Sequence, residues 1–133
     1  GTEDLVCPPN VLALGVRRDV ERVYAAADLV VSSSAYGEGF SNVLAEGMSA
    51  GLVPVATDVG DAGRIVGLTG RVVAPRDPMA LAAAIRAEAT LPADERRNRG
   101  LEARSRIVGS FARARAVDAY AKLYREIAVA TAL

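Results

Sequence analysis

Short apolar runs alternate with longer amphipathic segments along this chain, and this alternation is what most constrains its fold. The runs at 11–16, 29–31, 52–58 and 70–75 have the length and composition of buried strands. The segments between and after them have apolar residues at helical spacing. Strands that alternate with helices favour a parallel sheet covered by helices on both faces. The sequence therefore predicts an α/β fold.

Several of the intervening helices have recognisable ends. Asp77 followed by Pro78 is the strongest start, because aspartate caps a helix and proline fits its first position. Gly100 is expected to interrupt the arginine-rich helix around it, and residues 59–70 are expected to form a loop or short helix. The predicted helices cover residues 19–27, 41 onward, 77–90, 93–108 and 111 onward.

The composition removes several classes of chemistry. The chain has 16 basic and 16 acidic residues, so its net charge predicts neither a nucleic-acid nor a membrane partner. It has no histidine, which excludes His-containing catalytic triads and the commonest neutral metal ligand. Cys7 is the single cysteine, so we expect a small buried residue and neither a disulfide nor a Cys-based zinc site. No metal site is predicted.

The length of 133 residues is that of one domain or of a piece of a larger protein. The chain begins with Gly1 rather than methionine, which favours a piece or a processed form. It contains no apolar run of about 18 residues and no visible signal peptide. A soluble cytoplasmic domain is therefore expected.

The stretch GEGFSNVLAEGMSAG, residues 37–51, begins where the second predicted strand ends and runs into a helix. Parallel α/β sheets bind ligands at this edge. Glycines on both sides of Glu38 allow the backbone to turn sharply or to approach a ligand. The first N–H groups of a helix that begins near Ser41 lack intrahelical acceptors and carry partial positive charge. They suit a phosphate or diphosphate.

Helical spacing places a second acid, Glu46, away from the sheet. The face expected to pack on the sheet consists of Val43, Leu44, Gly47 and Met48. Gly47 would allow a close approach, and Glu46 would then flank the anion site on the side opposite Glu38. Two such carboxylates can each accept paired hydrogen bonds from vicinal hydroxyls. The spacing alone favours one loop charge and one solvated helix charge over a ligand site. Gly39-Phe40, the serine before the helix and the strand-end location bring the two readings to equal weight, and both stay open.

Several ordered blocks carry a family resemblance. They are Glu38 and Glu46 with seven residues between them, Gly39-Phe40 after the first acid, ATDVG at 56–60 and TGRVVAPRDP at 69–78, with LALGVRRDVERVYAAADLVV at 12–31 upstream. The chain resembles the donor-binding half of retaining GT-B glycosyltransferases of family 4. This resemblance implies a Rossmann-like parallel sheet with flanking helices, the C-terminal part of a donor domain. It also implies one nucleotide-sugar-binding unit over 1–133, with C-terminal helices from about 93.

The resemblance implies a role for each residue of the motif. Glu38, the catalytic candidate, would contact hydroxyls of the donor sugar with help from the backbone of Gly39 and Phe40. Glu46 would hold the ribose hydroxyls. The diphosphate would lie on the amides of Ser41, Asn42 and Val43. The donor would be a UDP-, GDP- or ADP-linked sugar, transferred with retention and without a metal ion or other cofactor.

The resemblance also implies what the chain lacks. Acceptor binding, to a glycan or glycolipid, would belong to an N-terminal domain that comes earlier, as would two strands and an Arg/Lys pair that binds the diphosphate. The chain alone would then be inactive, with a gap in its sheet that invites a homodimer. The parent enzyme would act in polysaccharide or glycolipid synthesis, in the cytoplasm or at the inner membrane face. One departure from the family lies in the third strand. The family's usual order there is Gly-Leu-Pro-Val-Val, whereas residues 51–55 of this chain read Gly-Leu-Val-Pro-Val.

Other readings remain open at this point. The chain could be a non-catalytic nucleotide-binding module that self-associates, or a flavodoxin-like receiver domain. In the last helix, the apolar stripe could pack on the absent domain or be ordinary core; it consists of Val117, Tyr120, Tyr124 and Ile127. The arginine cluster fits a solvated helix face better than an anionic surface; it consists of Arg96, Arg97, Arg99, Arg104 and Arg106.

Overall fold

The protein is described by a computed structural model that covers residues 7–131. Its elements in chain order are α1 (Val20–Ala25), β1 (Leu29–Ser32), α2 (Asn42–Ser49), β2 (Val53–Thr57), α3 (Ala62–Val66), β3 (Arg71–Val73), α4 (Pro78–Ala89), α5 (Ala93–Ser110) and α6 (Arg113–Thr131). Strands and helices alternate through the first two thirds of the chain, and three helices follow the last strand.

The sheet of the described region has three parallel strands in the order β1-β2-β3. Every residue of β2 is buried, as expected of a central strand covered on both faces. Helices α2, α3, α4 and α5 pack against the sheet. The predicted α/β class, with a parallel sheet flanked by helices, is confirmed.

Pro54 lies inside the central strand without breaking a ladder. The N–H of the preceding Val53 points to β1, where it donates to the carbonyl of Asp28 at 3.4 Å. The N–H groups of successive residues in a strand point to the two neighbouring strands in turn. The position of the missing N–H of Pro54 therefore faces β3. The β2–β3 pairing begins one residue later, at Val55 opposite Arg71, so no partner at that level loses a bond.

Helix α2 lies directly on β1 through Gly47. A Cβ at Gly47 would come 2.6 Å from Cβ of Val30, so only glycine permits this approach. Leu44, Gly47 and Met48 form the buried face, as predicted. Val43 does not belong to that face: it is 50% exposed, because it lies about 100° around the helix from Leu44.

The first predicted strand is wrong. Residues 11–16 have no regular structure, and Leu12 and Val16 are 80% and 100% exposed. An apolar run becomes a strand only beside a neighbour, and no strand of the described region pairs with this one. Cys7, which was expected to be buried, is only partly buried.

A buried carboxylate ties α4 to the sheet and to α5. Helix α4 begins as predicted, with the Asp77 carboxylate accepting from the Ala80 N–H at 2.8 Å. Ten residues into the helix, the Glu88 side chain is fully buried. It accepts from Nε of Arg71 at 2.5 Å and from Nη1 of Arg99 at 3.1 Å. The sequence pattern gave no sign of this ion network.

Helix α5 runs without a break through Gly100, so the predicted interruption is wrong. Gly100 is buried, and a Cβ there would lie 1.9 Å from the carbonyl oxygen of Gly51, just after α2. Glycine at this position permits a close backbone contact rather than a kink.

The arginine cluster of α5 is only in part a solvated face. Arg96 pairs with Asp28 and donates to the Leu91 carbonyl at 2.9 Å, and Arg99 pairs with Glu88. Arg106 donates to two carbonyls of α3. These three arginines are cross-links between elements, whereas Arg97 and Arg104 are exposed.

Helix α6 is amphipathic, but its apolar stripe does not belong to the core of the chain. Val117, Tyr120 and Tyr124 are 59%, 63% and 67% exposed, and Ile127 is 52% exposed. The alternative that this stripe is part of the hydrophobic core of the chain is therefore wrong.

Replacing Gly47 by alanine should destabilise the fold by about 1 to 3 kcal/mol, the usual cost of overpacking a core. The matched control is Gly109→Ala in α5, where a Cβ meets nothing within 4 Å and where alanine favours a helix. Urea unfolding of both variants measures the free energies. Equal stability of the two variants would contradict a tight contact between α2 and β1.

Replacing Glu88 by alanine should cost up to about 3 kcal/mol, because two arginines lose their buried partner. The arginine side chains remain 45% and 35% exposed, so water can solvate them and keep the loss at the low end for a buried pair. Glu95→Ala removes the exposed partner of the same Arg99 and should change stability by less than about 1 kcal/mol. Thermal unfolding compares the pair; similar losses would show that burial of Glu88 does not matter.

Candidate functional site

Two loops meet at the carboxyl edge of the sheet. One follows β1 and leads into α2; the other follows β2 and leads into α3. Thr57, the last residue of β2, donates its hydroxyl to the Ser34 carbonyl at 2.6 Å. The Asp61 N–H donates to the Gly39 carbonyl at 3.1 Å. These two bonds fix the first loop against the second.

The position of Glu38 follows from the shape of its loop. Gly37 has a φ of +78°, a conformation that side-chain-bearing residues rarely adopt. Gly60 leaves room for the loop, since a Cβ there would lie 2.4 Å from the Glu38 carbonyl oxygen. The Ser34 hydroxyl donates to Oε1 of Glu38 at 2.7 Å. The carboxylate is partly buried, so it is oriented and still open to a ligand.

The N-terminus of α2 stands beside this loop. Ser41 is the N-cap residue and is buried, but its side chain makes no capping hydrogen bond. The first turn contains no acidic residue. N–H groups at a helix start without such partners, together with the helix dipole, attract an anion. Asn42 and Val43, which follow Ser41, are exposed at this end.

Glu46 is exposed one turn further along α2 and is held by α1. The Tyr24 hydroxyl donates to Oε2 of Glu46 at 3.1 Å. Burial of the phenol, followed by this hydrogen bond and the carboxylate charge, raises the pKa of Tyr24 above its ordinary value of about 10. Tyr24 thus remains a donor to Glu46 through the neutral pH range, and the second carboxylate oxygen is left for a ligand.

A groove of about 590 Å³ adjoins Glu46 between α1, α2 and the end of α5. Its lining is mainly apolar and includes Tyr24, Phe40, Ile107 and Phe111. The ionisable groups in it besides Tyr24 are the acids Glu21 and Glu46.

In residues 7–131, no group of three or more cysteine, aspartate or glutamate side chains is arranged to hold a metal ion. No helix of that region combines the length and the apolar character that crossing a membrane requires.

Comparison with known proteins identifies the family. A model of the glycosyl transferases group 1 matches residues 2–90, which is more than half of the chain. The chain belongs to this family. Among solved structures, sucrose-phosphate synthase from Thermosynechococcus elongatus matches with a TM-score of 0.72 and 33% sequence identity. The match covers 81% of this chain and 27% of the synthase chain. A comparison with curated protein sequences found no match.

Membership in the glycosyl transferases group 1 confirms the resemblance at the level of glycosyl transfer and of the GT-B fold. A flavodoxin-like receiver domain is thereby set aside. The predicted site residues occupy one continuous stretch, Glu38 to Glu46, between the end of β1 and the middle of α2.

Three residues of this candidate site were missed from the sequence. Helical spacing alone indicates only that Tyr24 lies on the apolar face of α1, and Ser34 is the last of three consecutive serines. Phe111 was taken only as the start of the last helix. Tyr24 and Phe111 contact the motif across a long sequence separation, which periodicity does not report, whereas Ser34 lies four residues before Glu38. The position of Ser34 at a strand end was the one available signal.

Replacing Glu46 by glutamine should lower the pKa of Tyr24 towards its ordinary value, because the negative charge is lost while burial of the phenol remains. Tyrosinate absorbance measured between pH 8 and 12 follows the titration, and Tyr24→Phe identifies the signal by subtraction. An unchanged titration in Glu46→Gln would show that the carboxylate does not reach the phenol in solution.

Proposed function

We propose that this chain is the donor-binding part of a retaining family 4 glycosyltransferase. It would bind a nucleotide-diphosphate sugar, whose sugar passes to an acceptor glycan or glycolipid. The observation that supports the proposal is that Glu38 precedes and Glu46 follows an uncapped helix N-terminus, each accepting a hydrogen bond from a hydroxyl. Family membership supports the reaction class.

The diphosphate is assigned to the start of α2. The amides of the N-cap residue Ser41 and of Asn42 and Val43 lie at the start of α2, where the Ser41 side chain makes no capping hydrogen bond. A diphosphate gains negative charge as the sugar leaves. Fixed N–H donors stabilise that charge without reorganising, which lowers the barrier to transfer.

Glu38 is assigned to the sugar and is the catalytic candidate. Its carboxylate is partly buried and oriented by Ser34, which leaves its other lone pairs for sugar hydroxyls. The backbone of Gly39 and Phe40 borders the same space. The bond from Asp61 to the Gly39 carbonyl keeps that backbone in place.

Glu46 is assigned to the ribose. It lies on the exposed side of α2, and the Tyr24 hydroxyl fixes one of its oxygens. Paired hydrogen bonds from the 2′ and 3′ hydroxyls fit a carboxylate. The apolar groove beside Glu46 then borders the nucleoside.

The whole reaction needs more than the described residues supply. The chain spans about a quarter of the length of the synthase that it matches. We propose that the acceptor and the basic groups for the diphosphate are bound by another domain of the parent enzyme. By itself the chain would bind donor without turnover. Polysaccharide or glycolipid synthesis, in the cytoplasm or at the inner membrane face, is the proposed setting.

A second candidate is a non-catalytic nucleotide-binding module that self-associates. Two observations favour it: the outer edge of β1 pairs with no strand in residues 7–131, and the α6 stripe is exposed. Sedimentation distinguishes the candidates, because a tight dimer without affinity for nucleotide sugars supports only the second.

Calorimetry with UDP, GDP and ADP tests the ribose assignment. Glu46→Gln should weaken the best-bound nucleotide by about 10-fold or more, because a hydrogen bond to a charged group is lost. Glu21→Gln is the matched control, since Glu21 lines the same groove and should change affinity less than about twofold. Equal effects of the two substitutions would contradict the assignment of Glu46.

A further inference from the structure

Phe111 makes an aromatic contact between the end of α5 and the loop that joins β1 to α2. It caps α5 at the residue before the chain turns into α6. Its ring centroid lies 5.7 Å from that of Phe40, with the planes tilted by 49°. Aromatic pairs at this separation and tilt attract each other beyond their apolar contact.

The Phe111 ring is itself held from two other directions. It is partly buried and packs on the main apolar core. The guanidinium groups of Arg64 and Arg106 lie 5.6 and 5.9 Å from the ring centroid. Arg106 also donates to the Ile65 carbonyl at 2.8 Å and to the Arg64 carbonyl at 2.6 Å, so α5 is fastened to α3 at this level. Phe111 is therefore a fixed surface for Phe40.

Phe40 is the side chain through which this surface reaches the donor site. It stands between Gly39 and the N-cap residue Ser41, and its ring is 42% exposed. The loop around it is fixed on the α3 side by backbone, through the bond from Asp61 to Gly39. On the α5 side, Phe111 is the aromatic partner of Phe40.

We propose that Phe111 is a positioning residue for the donor site. By holding Phe40 it sets where the first amides of α2 and the carboxylate of Glu38 meet the diphosphate sugar. It acts through Phe40 and need not touch the ligand. The assignment rests on the proposed function.

The first measurement needs no ligand. Amide resonances of Gly37, Gly39, Phe40 and Ser41 are compared by NMR in the wild type, Phe111→Ala and Phe111→Tyr. We expect these amides to shift and to exchange faster in the alanine variant, and to stay in place in the tyrosine variant, which keeps the ring. Val108→Ala, an exposed position that lines the same groove, is the matched control and should leave them unchanged.

The second measurement is calorimetry with UDP, GDP and ADP. Phe111→Ala should weaken the best-bound nucleotide by about 3- to 10-fold, and Phe111→Tyr should restore binding. Phe40→Ala, which leaves the core contacts of Phe111, should cause a similar loss. The double variant should lose little more than either single variant, because both remove one interaction.

The outcomes separate the two claims. Unchanged loop amides in Phe111→Ala, or losses that simply add in the double variant, would overturn the positioning role while the wild type still bound nucleotide. Absence of nucleotide binding in the wild type would overturn the proposed function, and with it the donor role of Phe111. Loss of folding in Phe111→Ala leaves Phe40→Ala to decide: unaltered affinity there would also overturn the proposal.

Discussion

The contact between Gly47 and Val30 is the constraint on which the rest of the site depends. Because a helix can approach a strand so closely only where it lacks a side chain, this contact sets the height of α2 above β1. Leu44 and Met48 on either side of Gly47 then fill the space against the sheet. The start of α2 is brought to the carboxyl edge of the sheet, beside the loop that carries Glu38.

Local signals were enough to predict much of this arrangement. Three apolar strands, the Asp77 cap, the start of α2 and the close approach at Gly47 all follow from spacing and side-chain chemistry. What failed depended on neighbours distant in sequence. Residues 11–16 resemble a strand but find no partner, and Gly100 resembles a break but meets the backbone of Gly51. A sequence pattern shows which residues prefer burial, not which surface is available to bury them.

The same limit applies to the site. The proposed anion-binding start of α2 and the two acids lie in one stretch, so these candidates could be named from the sequence. Their partners Tyr24 and Phe111 come from two other elements, whereas Ser34 lies in the same loop as Glu38. The buried Glu88 shows the converse: a charge inside a helix pattern looks solvated until two arginines from elsewhere surround it. Such pairings are properties of the folded chain, so they require a structure.

The two contacts between α2 and α5 also set a length. Gly100 meets Gly51 just after α2, and Phe111 meets Phe40 just before it, so the helices run antiparallel. In α5, Gly100 and Phe111 are eleven positions apart, and three turns of helix take about 10.8 residues. Both residues therefore lie on the same face of α5. A single residue inserted between Gly100 and Phe111 would rotate the aromatic ring by about 100° and leave the glycine contact in place. The number of residues between Gly100 and Phe111 is therefore fixed by the two contacts.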